Sequence, residues 1–216
     1  NQQNEEIREK FTHFFQLITN IANNHHREES FFQTIFQIIN HFQLIIKQTF
    51  SNIDIYNLFK SNKLILLYLF EKEIIVIDDI ISQEIYKTVE KNGNRYCHFF
   101  YPEIKKFLKE NQIQNIENDP LFKEPIFFDF FDEKRHLGEN DSRICSIIRE
   151  DSVEDFIKYV KETKVPLISK VSTSIFESNS FLIGKKVTLI EYAAFFGSIQ
   201  IFQYLKFNKV ELEGSL

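Results

Sequence analysis

Hydrophobic positions recur at helical spacing through most of the chain. Ile7, Phe11, Phe14, Ile18 and Ile21 fall at steps of three and four, which stacks them on one side of a helix of about 3.6 residues per turn. After the polar break Asn23-Asn24-His25-His26, the residues Phe32, Ile35, Ile39, Phe42 and Ile46 repeat that spacing, and Phe31, Ile38 and Ile45 widen the stripe. The pattern predicts two amphipathic helices paired as a hairpin. Ser51 or Asn52 caps a third, short helix ending near Phe59, because a small polar side chain satisfies the free amides of a first turn. Leu64 to Phe70 is apolar on all sides and predicts a helix buried all round. Ile77, Ile80, Ile81 and Ile85 mark a helix from about Asp78 to Lys91, ended by Asn92-Gly93-Asn94.

Beyond Tyr96 the pattern weakens. Pro102 opens a helix through Leu108, and the amide-rich stretch from Asn111 to Asp119 is expected to be a connector. Phe127-Phe128-Asp129-Phe130-Phe131 is too aromatic for a solvated linker and is expected to tuck over the helical core. The domain boundary falls near Gly138-Glu139, giving a helical region 1–137 and a second region 138–216. Composition agrees with an all-α fold: 25 Phe against 5 Gly and 4 Pro leaves few turn-formers for a β design.

Net charge is −5 with both signs interleaved, so no polycationic face is available for nucleic acid. Leu64 to Phe70, the longest apolar run, is far short of the roughly 20 residues a membrane-spanning helix needs. Cys97 and Cys145 lie far apart and form no disulfide framework, which suits the cytoplasm. There is no Met at position 1 or elsewhere, and we expect the chain to be a portion of a longer product.

From Thr188 the sequence reads Thr-Leu-Ile-Glu-Tyr-Ala-Ala-Phe-Phe-Gly-Ser, then Ile-Gln-Ile-Phe-Gln-Tyr-Leu to Leu205. This resembles an ankyrin repeat: Thr188, Ile190, Ala193, Ala194, Gly197, Ile201, Phe202 and Leu205 occupy the places of its Thr-Pro-Leu-His, Ala pair, turn Gly and apolar second helix. Leu189 stands where the family has Pro and Glu191 where it has His, so the hydrogen bonds around the first helix must be remade or absent. A more divergent copy lies 46 residues upstream, with Ser142 under Thr188, Ile144 under Ile190, Asp151-Ser152 under Gly197-Ser198 and Phe156 under Phe202. The family period is about 33 residues, so Lys164 to Val187 must hold an insertion at the position of the projecting hairpin. The whole arrangement is similar to a lineage-expanded set of ankyrin proteins of parasitic protists, in which a helical N-terminal region precedes a long array. The resemblance implies an α-solenoid start that binds another protein, with no catalysis, no cofactor and no small-molecule ligand. The alternatives are an N-terminal region that only caps the array and an unrecognised helical enzyme.

Candidate chemistry is sparse. Cys97-His98 is the sole adjacent thiol and imidazole, with no orienting carboxylate fixed by sequence. His25-His26 reads as a loop or cap, and no Cys-x-x-Cys supports zinc. Asp129, Asp132 and Glu133 lack the glycine-containing oxygen loop that calcium uses. Gly184-Lys185-Lys186 lacks the remainder of a phosphate loop and reads as a turn. Around the insertion, Lys161, Lys164, Lys170, Lys185 and Lys186 outnumber Glu162 and Glu177, and Lys164, Lys170, Lys185 and Lys186 are the expected partner-binding residues.

Overall fold

The computed structural model describes residues 2–24, 29–87, 96–123, 130–179, 181–183 and 185–214. The expected breaks at His25-His26 and Asn92-Gly93-Asn94, residues 127–129 of the aromatic stretch, and Gly184 lie outside these. The described residues are all-α, with fourteen α-helices and one isolated antiparallel bridge between Lys170 and Thr188. None of these helices is long and apolar enough to cross a membrane. The chain divides into two compact units, residues 1–138 with 178–180, and residues 139–177 with 181–216.

The first unit opens with α1 (Gln2–Asn24), followed by α2 (Glu29–His41) and α3 (Gln43–Thr49). The turn at Phe42 splits the second predicted helix into two. The buried face of α1 follows the expected stripe only in part. Phe15, Ile18, Thr19 and Ala22 point inward, while Ile7 and Ile21 are exposed and Phe11 and Phe14 are half-buried. The apolar arc of α1 is wider than a single stripe, and the core takes the side centred on Phe15.

Capping then fixes α4 (Asn52–Phe59): Ser51 Oγ accepts from the Asp54 amide at 3.4 Å, and an Asp54 carboxylate oxygen accepts from the Ser51 amide at 3.1 Å. The Ser51 hydrogen bonds, aided by the Arg8 guanidinium, hold the Asp54 carboxyl below its usual range against the opposing effect of burial. Asn62 Oδ1 accepts from the Ile65 amide at 3.0 Å to open α5 (Lys63–Glu71), and its own amide group donates to Asn23 Oδ1 at 2.9 Å, tying α1 to α5. Leu64, Ile65, Leu66, Leu67 and Leu69 of α5 are buried, as an all-round apolar helix requires. Asp78 caps α6 (Asp79–Lys87) through the Ile81 amide at 2.9 Å.

Two short helices follow, α7 (Tyr96–Phe99) and α8 (Tyr101–Ile104). Residues 110–117, expected as a connector, form α9 (Glu110–Glu117). Gln112 Oε1 accepts from the Lys109 amide at 2.9 Å, Gln112 exchanges amide hydrogen bonds with Gln83, and Ile116 is buried. One buried isoleucine and local capping thus offset a weak apolar pattern. Phe130 is 69% exposed rather than tucked in, whereas Phe131 is buried at the start of α10 (Phe131–Leu137).

Arg135 anchors α10. Nearly buried, it donates from Nη1 to both Glu103 carboxylate oxygens at 2.8 Å and to the Phe99 carbonyl at 3.1 Å, with Asp132 at 2.7 Å from Nη2. Its guanidinium also lies over the Phe99 and Phe131 rings. Gly138 ends the helix at φ +61°, and a Cβ there would lie 2.7 Å from the Leu64 methyl carbons, so both backbone sign and space require glycine.

Removing one partner of a buried charge pair leaves the other desolvated. Arg135→Met should therefore cost roughly 3–5 kcal/mol of unfolding free energy, read from the urea midpoint at unchanged slope. A change within about 0.5 kcal/mol, as for ordinary surface sites, would contradict the anchor.

Candidate functional site

In the first unit, α7 places Cys97 and His98 side by side. Cys97 Sγ lies 3.2 Å from His98 Nδ1, and His98 Nε2 lies 3.2 Å from an Asp119 carboxylate oxygen beyond α9. The structure thus brings to the thiol and imidazole the carboxylate that sequence spacing could not supply. Cys97 is fully buried, His98 is 3% exposed, and the Phe122 ring stands 5.3 Å from the imidazole. Nucleophilic attack needs a reacting atom about 3 Å from sulfur, and this closed packing leaves a substrate no room there. The chain of contacts orients a buried imidazole.

In the second unit, α11 (Arg143–Arg149) packs on α12 (Val153–Thr163), and α13 (Leu189–Phe196) packs on α14 (Ile199–Phe207). First helix also contacts first helix and second contacts second. Both helices start 46 residues later in the second pair. The inter-helix turns match bond for bond. The Asp151 amide donates to the Ile148 carbonyl and that of Ser152 to Ile147, as the Gly197 amide donates to Ala194 and that of Ser198 to Ala193. Asp151 and Gly197 are both left-handed, at φ +51° and +68°.

The two pairs are joined by polar bonds absent from the sequence pattern. The Asp151 carboxylate accepts from the Gln200 and Ile201 amides at 3.0 Å, capping α14 from the neighbouring pair. The Ser198 hydroxyl donates to the Ile148 carbonyl. Thr188 and Glu191 rebuild the hydrogen bonds around α13: a Glu191 carboxylate oxygen accepts from the Thr188 amide and hydroxyl, both at 2.9 Å, and Thr188 Oγ1 accepts from the Glu191 amide at 3.4 Å. Arg149 donates to the Tyr192 hydroxyl at 2.8 Å and the Asn140 carbonyl at 2.9 Å, and pairs with Glu139 at 2.7 Å. Beside them, burial pushes the Cys145 thiol up to about 11, against the pull of the Tyr192 hydroxyl and the Arg149 guanidinium, and burial also drives the Tyr192 phenol upward.

The connection 164–187 does not simply project. Its Val171, Leu182 and Val187 join the core made by Ile147, Ile148, Ile190 and Ala193. Its two ends pair through Val171 N–H to the Val187 carbonyl at 2.7 Å and Leu189 N–H to the Ser169 carbonyl at 3.1 Å. Apolar residues among the polar ones fasten the insertion down.

The expected partner-binding lysines have different surroundings. Lys164 is exposed and ends α12 at φ +58°. Lys170 sits in the antiparallel bridge and pairs with Glu213 at 2.9 Å. The Lys185 ammonium lies 5.5 Å from the Phe181 ring centroid, and Lys186 is exposed. Glu177, counted against them, is buried. Of the acidic residues, Asp132 serves Arg135 and Glu133 is exposed, while Asp129 lies outside the described residues. No group of three or more His, Cys, Asp or Glu among the described residues could hold a metal ion. No protein-family model, curated protein or solved structure matches the chain.

The alanine pair of the repeat pattern divides: Ala193 is fully buried and Ala194 is exposed. Ala193→Leu should overpack the pair and cost about 1 to 3 kcal/mol. Ala194→Leu should stay within about 0.5 kcal/mol of wild type. Equal thermal melts for both variants would overturn the assigned orientation of α13.

Both thiols are buried. At pH 8 a group that titrates near 11 carries almost no thiolate, the reactive form. An aromatic disulfide reagent should therefore leave the native chain untouched and report two thiols only in denaturant; rapid native reaction at Cys145 would refute its placement.

Proposed function

We propose that the chain is a non-catalytic, intracellular protein-binding scaffold, and that α11–α14 is the start of an ankyrin-type array. Two helix pairs of identical spacing, with matched left-handed turns and like helices in contact, support the repeat reading.

The observation that carries it is the burial lost between equivalent positions. Ile148 is fully buried, but its counterpart Ala194 is exposed. Phe156 is fully buried, but Phe202 is only half-buried. Val153 is half-buried, while Ile199 is 64% exposed, and Phe207 near the end of α14 is 87% exposed. A face that is covered on the first pair stands open on the second, as a unit intended for a further neighbour would leave it. The first helices and the connection 164–187 then offer the variable surface for a protein partner, with Lys164, Lys185 and Lys186 on it. Lys170 contributes less, because Glu213 already neutralises it. Catalysis forms no part of this reading, and the burial of Cys97 and His98 supports leaving it out.

The test is quantitative affinity capture with the wild-type chain, with a Lys164→Glu, Lys185→Glu, Lys186→Glu variant, and with an Ile199→Glu, Phe207→Glu variant. Charge reversal should deplete the specific partner about tenfold while the melting temperature holds, since Lys164 and Lys186 are exposed and Lys185 is only half-buried. Identical partner recovery by all three proteins would reject the scaffold reading.

A further inference from the structure

Helix α1 carries two apolar faces, and the fold uses one. Phe15, Ile18, Thr19 and Ala22 face the core. Ile7, Phe14, Leu17 and Ile21 form a second seam at intervals of seven, three and four residues, which at 100° per residue keeps them within an arc of roughly 80°. Leu17 is 57% exposed, Ile21 42% and Ile7 41%. The seam has a wall on one side. Phe42, between α2 and α3, stands edge-on to Phe11 and Phe14 at 5.8 and 5.4 Å, and with Ile7 and Lys10 these rings line an almost wholly apolar groove of about 390 Å³.

Intervals of seven, three and four are those of a coiled-coil seam, in which a side chain of one helix enters a recess of the other. Such a seam is matched by a helix of the same period, and α1 itself has that period. The charge distribution selects the direction. Glu5, Glu6, Arg8, Glu9 and Lys10 crowd the first half of the helix, whereas residues 11–24 contain no Asp, Glu, Lys or Arg. A parallel pairing would set Lys10 against Lys10 within the seam. An antiparallel pairing lays the charged half of each helix along the uncharged half of the other.

We propose that the chain self-associates through α1, antiparallel to α1 of a second copy. Phe14 and Leu17 of both copies form the centre. Ile21 of each lies along the aliphatic stem of Lys10 in the other, whose ammonium reaches water. The recess between Phe11, Phe14 and Phe42 receives a seam side chain from the second copy.

The test is sedimentation velocity on the full chain from about 1 to 100 µM, a range that brackets micromolar affinity. The wild type should shift from monomer to dimer across this range. Leu17→Glu and, independently, Ile21→Lys should remain monomeric with unchanged melting temperature, since both side chains are substantially exposed. Phe207→Glu, on the other unit, should dimerise like wild type; its failure to do so would move the contact away from α1. A wild type that stays monomeric at 100 µM, or a Leu17→Glu chain that still dimerises, overturns the proposal. Spin labels at Lys10 should read roughly 20 Å between copies, from a 1.5 Å rise per residue and an 8–10 Å axial separation. A separation under about 12 Å would mean parallel helices and refute the stated arrangement.

Discussion

The recurring constraint on this molecule is the cost of ending a helix. Each end leaves up to four amides or four carbonyls without intrahelical partners, and most of these helices are only four to nine residues long. A large share of the backbone therefore lies near an end. Polar side chains, exposed and buried, are placed to meet that need. Ser51 with Asp54, Asn62, Asp78, and Thr188 with Glu191 each satisfy first-turn amides. Gly138 and Gly197 end α10 and α13 in the left-handed conformation. Asn62 shows why this also determines tertiary structure. The side chain that opens α5 reaches Asn23 near the end of α1, so one residue both starts a helix and fixes its neighbour.

The same economy joins the helix pairs of the second unit. Asp151 adopts a turn conformation that glycine takes more cheaply, at a position whose later counterpart is Gly197. Its carboxylate explains the choice, because it caps α14 from the adjacent pair. A glycine in its place would relieve the backbone and leave the Gln200 and Ile201 amides without that acceptor. The Ser198 hydroxyl returns the link by donating to the Ile148 carbonyl. Apolar burial between the pairs is directionless, whereas these bonds define one register.

What could be read in advance follows from how local the determining interactions are. The helices at 52–59 and 63–71 were legible because a cap and an apolar run meet within a few residues. Helix α9 was not, since Ile113 and Ile116 alone make its apolar pattern and its support comes from Gln83, 29 residues earlier. Residues 7, 11, 14, 18 and 21 of α1 do form a stripe, but of these the core buries Ile18 and otherwise takes Phe15 and Ala22 beside it. Pairing of His98 with Asp119 is tertiary and leaves no mark in residue spacing. The insertion 164–187 was placed as a projecting hairpin by repeat spacing alone, which carries no information about its packing. Val171, Leu182 and Val187 reach the core only once the strand-like ends close on each other.

The α1 seam and the outer side of α13 and α14 differ in shape rather than in polarity. On α13 Ala194 exposes a small methyl, and on α14 Ile199 and Phe207 expose larger side chains. The α1 seam is ridged, with Phe11, Phe14 and Phe42 holding a recess open by edge-on contact. Aromatic rings constrained this way cannot collapse into the recess without losing their mutual packing. A partner suited to one surface would meet a poor fit on the other, because close packing is lost once facing surfaces gap by even 0.5 to 1 Å.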